Sequence, residues 1–335
     1  MTTIGNMNPT LMDVARRSDP DGKIATIVEL LNQTNDVLDY LTCLECNNGT
    51  GHKTTVRTGL PSATWRMLNY GVQPSKSQTK QVTDSTGMLE AYSEVDKALA
   101  DLNGNTAEFR LSEDQPFLEA MNQQMASTLF YGSTLADPEK FTGLAPRYTA
   151  RQSTDDTKSS FNVIHGGGQG DDNTSVWLVV FGPNTVHAIY PKGSKAGVSH
   201  QDLGEVTLTD AQGGKYQGYR THYKWDIGLT VRDWRYAVRI ANIDVSDLAG
   251  AAGQKALIAL MVQASERIPV LGMGRAVWCM NRTVHSALRL GILEKIASNL
   301  TWETVAGKRV MAFDDIPVAR CDALLNAEAL VPAAS

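Results

Sequence analysis

The sequence predicts an α+β fold with a long projection, and three observations carry that reading. Ser112-Glu113-Asp114-Gln115 has the pattern of a capping box, and Phe117, Leu118, Met121, Met125 and Leu129 follow as an apolar stripe, so a helix is expected over 112–131 with Gly132 as its stop. Residues 217–242 hold two consecutive period-2 segments. In the first, Tyr219, Thr221, Tyr223 and Trp225 alternate with Arg220, His222, Lys224 and Asp226. After a break near Gly228, Trp234, Tyr236, Val238 and Ile240 alternate with Arg235, Ala237 and Arg239. Such alternation marks long strands with one covered and one wet face. The third observation is the stretch 50–92, which reads as two extended arms, the second polar on both faces over its early part.

Taken in chain order, residues 1–22 are polar, broken by Gly5, Pro9, Pro20 and Gly22, and read as an arm whose Arg16-Arg17 pair could meet an acidic surface. Ile24, Ile27, Val28 and Leu31, continued by Leu38 and Leu41, predict a helix from Lys23 that ends near Cys46, where Asn47, Asn48 and Gly49 follow. Thr54–Thr58 suits a strand, and Gly59, Pro61, Gly71 and Pro74 break the run. Two arms of about 15 residues reach roughly 50 Å at about 3.3 Å per residue. A compact body of this length has a radius of gyration near only about 20 Å. A hairpin that long folds back or lies on another molecule.

Beyond the helix at 112–131, residues 149–175 read as loop. Val176–Gly182 is a buried strand, Pro183–Pro191 its neighbour, and 191–204 a second loop. Leu257, Leu260, Met261, Ala264 and Ile268 mark a helix that Pro269 ends. Ala276–Met280 is a strand, and Asn281 caps a helix carrying Val284, Leu288 and Ile292. Residues 301–321 read as two or three short strands around Gly307 and Pro317, and the tail Val331–Ser335 as disordered.

Composition narrows the function classes. Hydrophobic residues make up 42% of the chain and charged residues 20%, ordinary for a soluble domain. The net charge of −5, with no strongly basic block, argues against a chain that grips nucleic acid by its phosphates but leaves room for a local basic patch. The N-terminus lacks the roughly 7–15-residue apolar core of a secretory signal, and no apolar run approaches the roughly 20 residues that span a bilayer. Folding in a reducing cytosol is therefore expected, with Cys43, Cys46, Cys279 and Cys321 as free thiols.

The candidates for chemistry each fail on their surroundings. Cys43-x-x-Cys46 is a single pair at the expected end of a helix, whereas a structural zinc site takes four ligands and a redox pair starts a helix. His165-Gly-Gly-Gly-Gln-Gly170 lacks the terminal Gly-Lys-Ser/Thr of a phosphate loop and is followed by Asp171 and Asp172, so it reads as a flexible surface loop. There is no Gly-x-Ser-x-Gly, and the six histidines are scattered. The aromatic and basic residues of 219–225 fall on opposite strand faces, unlike a single-strand nucleic-acid platform. No catalytic residue, metal ligand or cofactor is expected.

The order of an arm, an extended two-stranded loop, one long helix and a mixed α/β remainder resembles the major capsid proteins of tailed phages with the Hong Kong 97-type fold. The strings GHKTTVRTGLPSATWRMLNYGVQPSKS, GMLEAYSEVDKALADLNGN, LFYGSTLADPEKFTGLAPRY, THYKWDIGLTVRDWRYAVRIANIDVSDL and IPVLGMGRAVWCMNRTV are similar to capsid proteins of short-tailed phages of the epsilon15 type and of related Bordetella phages, over roughly residues 20–325.

The resemblance implies a non-catalytic shell protein that assembles into hexamers and pentamers enclosing double-stranded DNA, in the virion, after assembly in the bacterial cytoplasm. It implies an N-terminal arm and helix at 1–49, an extended loop at 50–92, a peripheral domain of 93–154 and 311–335 with a spine helix at 112–131, and a mainly axial domain at 155–310. It implies inter-subunit contacts at Arg57, Trp65, Arg66, Lys76 and Lys80, with Arg16 and Arg17 in the arm. Trp65 either anchors the loop tip in a pocket or packs within the hairpin. Some relatives crosslink through a Lys–Asn bond beside a carboxylate, but no such trio aligns here, so no crosslink is expected. Without a long cleavable N-terminal segment, a separate scaffolding protein is implied, with a portal and a cementing protein as further partners. Packaged DNA is a non-specific neighbour, and no membrane is involved. The competing readings are a decoration or tail protein, against which the capped helix and α/β last third argue, and a soluble β-rich enzyme with a site in loops 150–175 and 192–205.

Overall fold

The computed structural model describes residues 33–49, 51–102, 104, 106–151, 158–210, 212–293, 300–305 and 308–334. In chain order it places β1 at Cys43–Glu45, β2 at His52–Gly59, β3 at Gln78–Asp84 and β4 at Thr86–Asp96. A short helix α1 (Lys97–Ala100) and the long α2 (Thr106–Tyr131) follow. The strands β5 (Val163–His165), β6 (Asn173–Phe181), β7 (Val186–Tyr190), β8 (Ser199–Thr209), β9 (Lys215–Val231) and β10 (Ala237–Asp244) come next. The last third holds α3 (Ala251–Glu266), β11 (Arg275–Met280), α4 (Arg282–Leu293), β12 (Leu300–Val305), β13 (Lys308–Phe313) and β14 (Ile316–Arg320). Two compact units divide these elements, one built from 88–126 and 197–226, the other from 35–87, 127–196 and 227–334.

The larger unit is organised around β6, all nine of whose residues are buried. It pairs antiparallel with β10 along one edge (Leu178 opposite Val238) and with β11 along the other (Leu178 opposite Trp278). The run of Val, Leu and Trp is therefore explained by a central strand covered on both faces. On one face Val176, Leu178 and Val180 pack with Leu257 and Met261 of α3 and Val284 and Leu288 of α4. Side-chain alternation sends Trp177, Val179 and Phe181 to the opposite face, where Trp177 meets Phe130 at 6.1 Å and Tyr148 edge-on at 5.7 Å. The Asn281 carboxamide accepts the Val284 amide at 2.9 Å, so α4 starts at its expected cap.

Within the smaller unit β8 pairs antiparallel with β9 (Glu205 opposite Tyr219). Thr221 and Tyr223 are buried, as their alternation predicts. Val95, Ala100 and Phe109 form a core with Leu99 and Tyr219. The wet face carries cross-strand polar contacts: an ion pair of Arg220 with Glu94 at 2.6 Å, and His222 Nε2 within 3.2 Å of the Glu90 carboxylate. Tyr92 stacks on His222 at 4.5 Å.

Several expectations change. The first half of the helix expected over 23–46 lies outside the described residues. Its second half is a 3-10 turn at Asp36–Tyr40 followed by β1, because Cys43–Glu45 finds a parallel partner in β7. The helix α2 begins at Thr106, not at Ser112. The Ser112 hydroxyl bonds back to the Phe109 carbonyl at 2.8 Å instead of capping, and Pro116 lies in the interior. α2 does end just before Gly132, a position where a Cβ would meet the Phe141 and Thr128 carbonyls at 2.5 and 2.6 Å. β9 runs through Gly228, and the break falls at the 3-10 turn Trp234–Tyr236 capped by Asp233.

β10 has no wet face. Arg239 is buried, pairing with Glu328 at 2.8 Å, donating to Ser175 Oγ at 3.0 Å and lying 5.2 Å over the Trp177 ring. Tyr131 and Ser175 hydroxyls also donate to the Glu328 carboxylate. The glycine run at 165–170 is no flexible loop. The Gly166 and Gly168 amides bond to the Ala241 and Asn242 carbonyls at 2.7 and 2.8 Å, an approach too close for side chains. The tail is not loose at its start, since Asn242 holds both the amide and the carbonyl of Val331. The loop expected over 191–204 ends early, because β8 already begins at Ser199.

Replacing Arg239 with Met leaves the buried Glu328 carboxylate without a cation, so unfolding free energy should fall by about 3–5 kcal/mol in urea titrations. The two-residue turn between β13 and β14 holds Asp314 and Asp315 at φ 49° and 62°, a conformation that glycine adopts more cheaply. Asp315→Gly should raise stability by about 0.5–1 kcal/mol in the same assay.

Candidate functional site

No three His, Cys, Asp or Glu residues gather in metal-binding geometry among the described residues. The four cysteines are free thiols, Cys43 exposed and the other three buried, and burial pushes the Cys43 and Cys46 thiols up. Cys43 lies on β1 and the Cys46 amide donates to the Tyr190 carbonyl at 2.9 Å, so both cysteines serve the sheet edge.

What stands out is a projection. Among the described residues β2 and β3 pair only with each other, from His52 opposite Asp84 to Gly59 opposite Gln78. Residues 60–76 beyond them are all exposed. Six large apolar side chains stand in water there: Leu60, Trp65, Met67, Leu68, Tyr70 and Val72. Trp65 is 103% exposed, which removes packing within the hairpin as its role. The tip is shaped by a turn at Asn69 (φ 69°) and by one cross-arm bond from Ser75 Oγ to the Ser62 carbonyl at 2.9 Å. So many large apolar side chains left in water along one short segment point to an interaction site.

The hairpin is also charged with one sign. From Gly51 to Thr83 it carries Lys53, Arg57, Arg66, Lys76 and Lys80 and no carboxylate, so a chain of net charge −5 holds −10 outside it. All five cations are exposed. No ion pair joins any of them to a described residue. The sequence-predicted residues Arg57, Trp65, Arg66, Lys76 and Lys80 thus share one projection, while Arg16 and Arg17 lie outside the described residues. Sequence reasoning missed the other five apolar tip residues, although the absence of Asp and Glu from 51–83 was there to be read.

The root is clamped by polar contacts where the tip is bare. Asp84, 7% exposed, pairs with Arg147 at 2.8 Å. The same guanidinium donates to the carbonyls of Leu229 at 3.1 Å, Thr142 at 3.2 Å and Gly143 at 3.2 Å. One side chain therefore joins the hairpin, β9 and the loop after α2. Two glycines permit the close approach: a Cβ at Gly51 would meet the Asp84 carbonyl at 2.5 Å, and one at Gly228 the Ser85 carbonyl at 2.6 Å. Asn47 exchanges two bonds with the Lys53 backbone, at 2.7 and 2.8 Å, closing the entry to β2.

A family model described as "Major capsid protein GP7" matches residues 19–332. Among solved structures, the cryo-EM structure of bacteriophage Epsilon15 is 39% identical over 100% of both chains, with a TM-score of 0.78. The capsid of the native GTA particle is 10% identical, covering 70% of this chain and 99% of that one, with a TM-score of 0.48. A chain of Microbacterium phage Oxtober96 is 12% identical, covering 69% and 98%, with a TM-score of 0.42. No curated protein matches the chain.

Replacing Arg147 with Met removes the cation from a buried carboxylate and should cost about 3 kcal/mol. Amide hydrogen exchange across 52–59 and 78–84 should accelerate in that variant while β6 stays protected.

Proposed function

The chain belongs to the GP7 family of major capsid proteins, and from that premise we propose how its hairpin joins one subunit to the next. The protein is a major capsid protein of a tailed phage, with the Hong Kong 97-type fold and a shell-forming role in the virion. Identical copies make the icosahedral shell. Our reading is that they do so through hexamers and pentamers in which the hairpin of each subunit lies over its neighbour. The observation that carries this is the bare tip: Trp65, Met67 and Leu68 are more than two-thirds exposed, and no described part of their own chain covers them.

Two forces would then hold the tip. Burying Trp65 and its apolar neighbours supplies affinity, at roughly 25 cal/mol per Å² of apolar area. Arg57, Arg66, Lys76 and Lys80, with Arg16 and Arg17 of the arm, would meet acidic groups on the adjacent subunit. Each exposed pair contributes little alone, but the contacts repeat around a closed shell. In this reading α2 is the spine helix of a peripheral domain with the strands grouped beside it. Residues 93–154 and 311–335 make up that peripheral domain, 155–310 are mainly the axial domain, 50–92 the extended loop, and 1–49 the arm and its helix. The chemistry is non-catalytic, packaged double-stranded DNA is a non-specific neighbour, and a separate scaffolding protein, a portal and a cementing protein complete the particle, which assembles in the host cytoplasm.

Deleting residues 60–77 and closing β2 onto β3 with a short turn should leave a folded subunit that forms no shells in sedimentation and negative-stain microscopy. Shells from the deleted chain would remove the hairpin from assembly. Assembly of the intact chain should slow several-fold between about 0.05 and about 0.5 M salt. A variant with Arg57, Arg66, Lys76 and Lys80 changed to Gln should lose that dependence.

A further inference from the structure

Beneath the hairpin root lies a buried polar patch that neither the ion pair nor the assembly reading uses. His187 on β7 is fully buried, and neither of its ring nitrogens has a hydrogen-bond partner. Its ring meets that of His52, the first residue of β2, edge-on at 5.5 Å between centroids. Their strand partners share the condition. Thr230, opposite His187, is fully buried with an unpartnered hydroxyl. Asp84, opposite His52, spends one oxygen on Arg147 and leaves the other buried and unpartnered. Thr54, on the same face of β2 as His52, also has a buried hydroxyl with no partner. Buried polar atoms without partners are uncommon in folded proteins and mark a place of function or stored strain.

We propose that this patch is an acid-sensitive hinge: protonation of the pair formed by buried His187 and partly buried His52 undocks the root of the hairpin from β7 while the β6-centred sheet stays folded. The two imidazoles touch, so a charge on one opposes a charge on the other. Arg232, whose guanidinium is fixed on the Pro183 carbonyl and the Asn184 side chain at 3.1 and 3.0 Å, opposes a further cation at both rings. Asp84 favours a cation at His52 only, and Arg147 already occupies it. The Gly182 backbone favours a cation at His187 but falls short of a hydrogen bond to it. Burial therefore dominates. It holds His52 below the usual histidine range and pushes His187 down to about 4.

The direction follows from proton linkage. A histidine released to water binds a proton near pH about 6.5, while the docked rings stay neutral to lower pH. The undocked root thus takes up protons first as pH falls, and docking weakens progressively from about pH 6.5 to about pH 4. From His187 alone the docking equilibrium shifts about 50–100-fold by pH about 4.5. The consequence for a shell is a subunit whose projection changes angle without unfolding its body.

The test is amide hydrogen exchange on the unassembled full chain at pH about 7 and about 4.5, corrected for intrinsic rates. Peptides over 52–59 and 78–84 should lose protection at least tenfold at the lower pH, while 174–180 of β6 keeps its protection. In His52→Gln and His187→Gln the acid-induced loss should shrink, and in the double variant vanish. Should His187→Gln fail to fold, the partly exposed His52→Gln decides alone. Unchanged wild-type protection overturns the hinge. So does loss of β6 protection in step, which makes the effect global, and so does an equal loss in the Gln variants, which assigns it to carboxylates such as Asp84.

Discussion

The Arg147–Asp84 ion pair at the base of the hairpin is the interaction on which the rest depends. A two-stranded ribbon on its own is marginal in water, and this one has no sheet neighbour among the described residues. Its geometry is fixed at one end only, where Arg147 spends its donors on a carboxylate and three carbonyls from two other elements. Because Asp84 is buried, the pair is costly to break from either side. A clamp of this kind sets the direction in which the hairpin leaves the body and leaves its far end free to find a partner. A shell subunit needs both: a defined exit angle, and a tip whose surface is completed by another copy.

The body is built to resist the load that such a lever applies. β6 is buried along its whole length and paired on both edges, and a second buried ion pair, Arg239–Glu328, ties the C-terminal segment to it. Buried ionic groups contribute less to stability than apolar residues of the same volume, but they penalise alternative packings. Here Glu328 gathers Arg239, Ser175 and Tyr131 from three different elements, and Asn242 holds the strand-like tail at Val331. The segment around Val331 is thereby tied into the fold of the larger unit.

Much of this was legible in the residues. Period-2 alternation placed Thr221 and Tyr223 inside, the apolar run of β6 announced a covered strand, and Asn281 capped its helix. The hairpin was legible as a polar, proline- and glycine-broken stretch too long for its own body. What failed did so for tertiary reasons. Ser112-Glu-Asp-Gln is a local capping pattern, but the helix starts six residues earlier, and nothing local forbids that. Cys43–Glu45 has helical periodicity upstream of it, yet a parallel partner across 145 residues overrides it. Arg239 looked like an outward residue because its carboxylate, Glu328, lies 89 positions away. The glycines at 166 and 168 looked like flexibility and are instead spaces that a neighbouring backbone fills. Of the site, the charges and Trp65 were readable one by one. Their common sign and the root clamp became evident only with β2, β3 and Arg147 in place.

The measurement closest to the central claim is amide hydrogen exchange of the tip, residues 60–77, in closed shells against the free subunit. If the tip lies on another copy, its amides should be nearly unprotected in the subunit and protected by at least about tenfold in the shell, with peptides around Trp65 and Leu68 protected most. Equal exchange in the two states would mean that the tip stays in water in the finished shell, and the account of how the subunits are joined would be wrong.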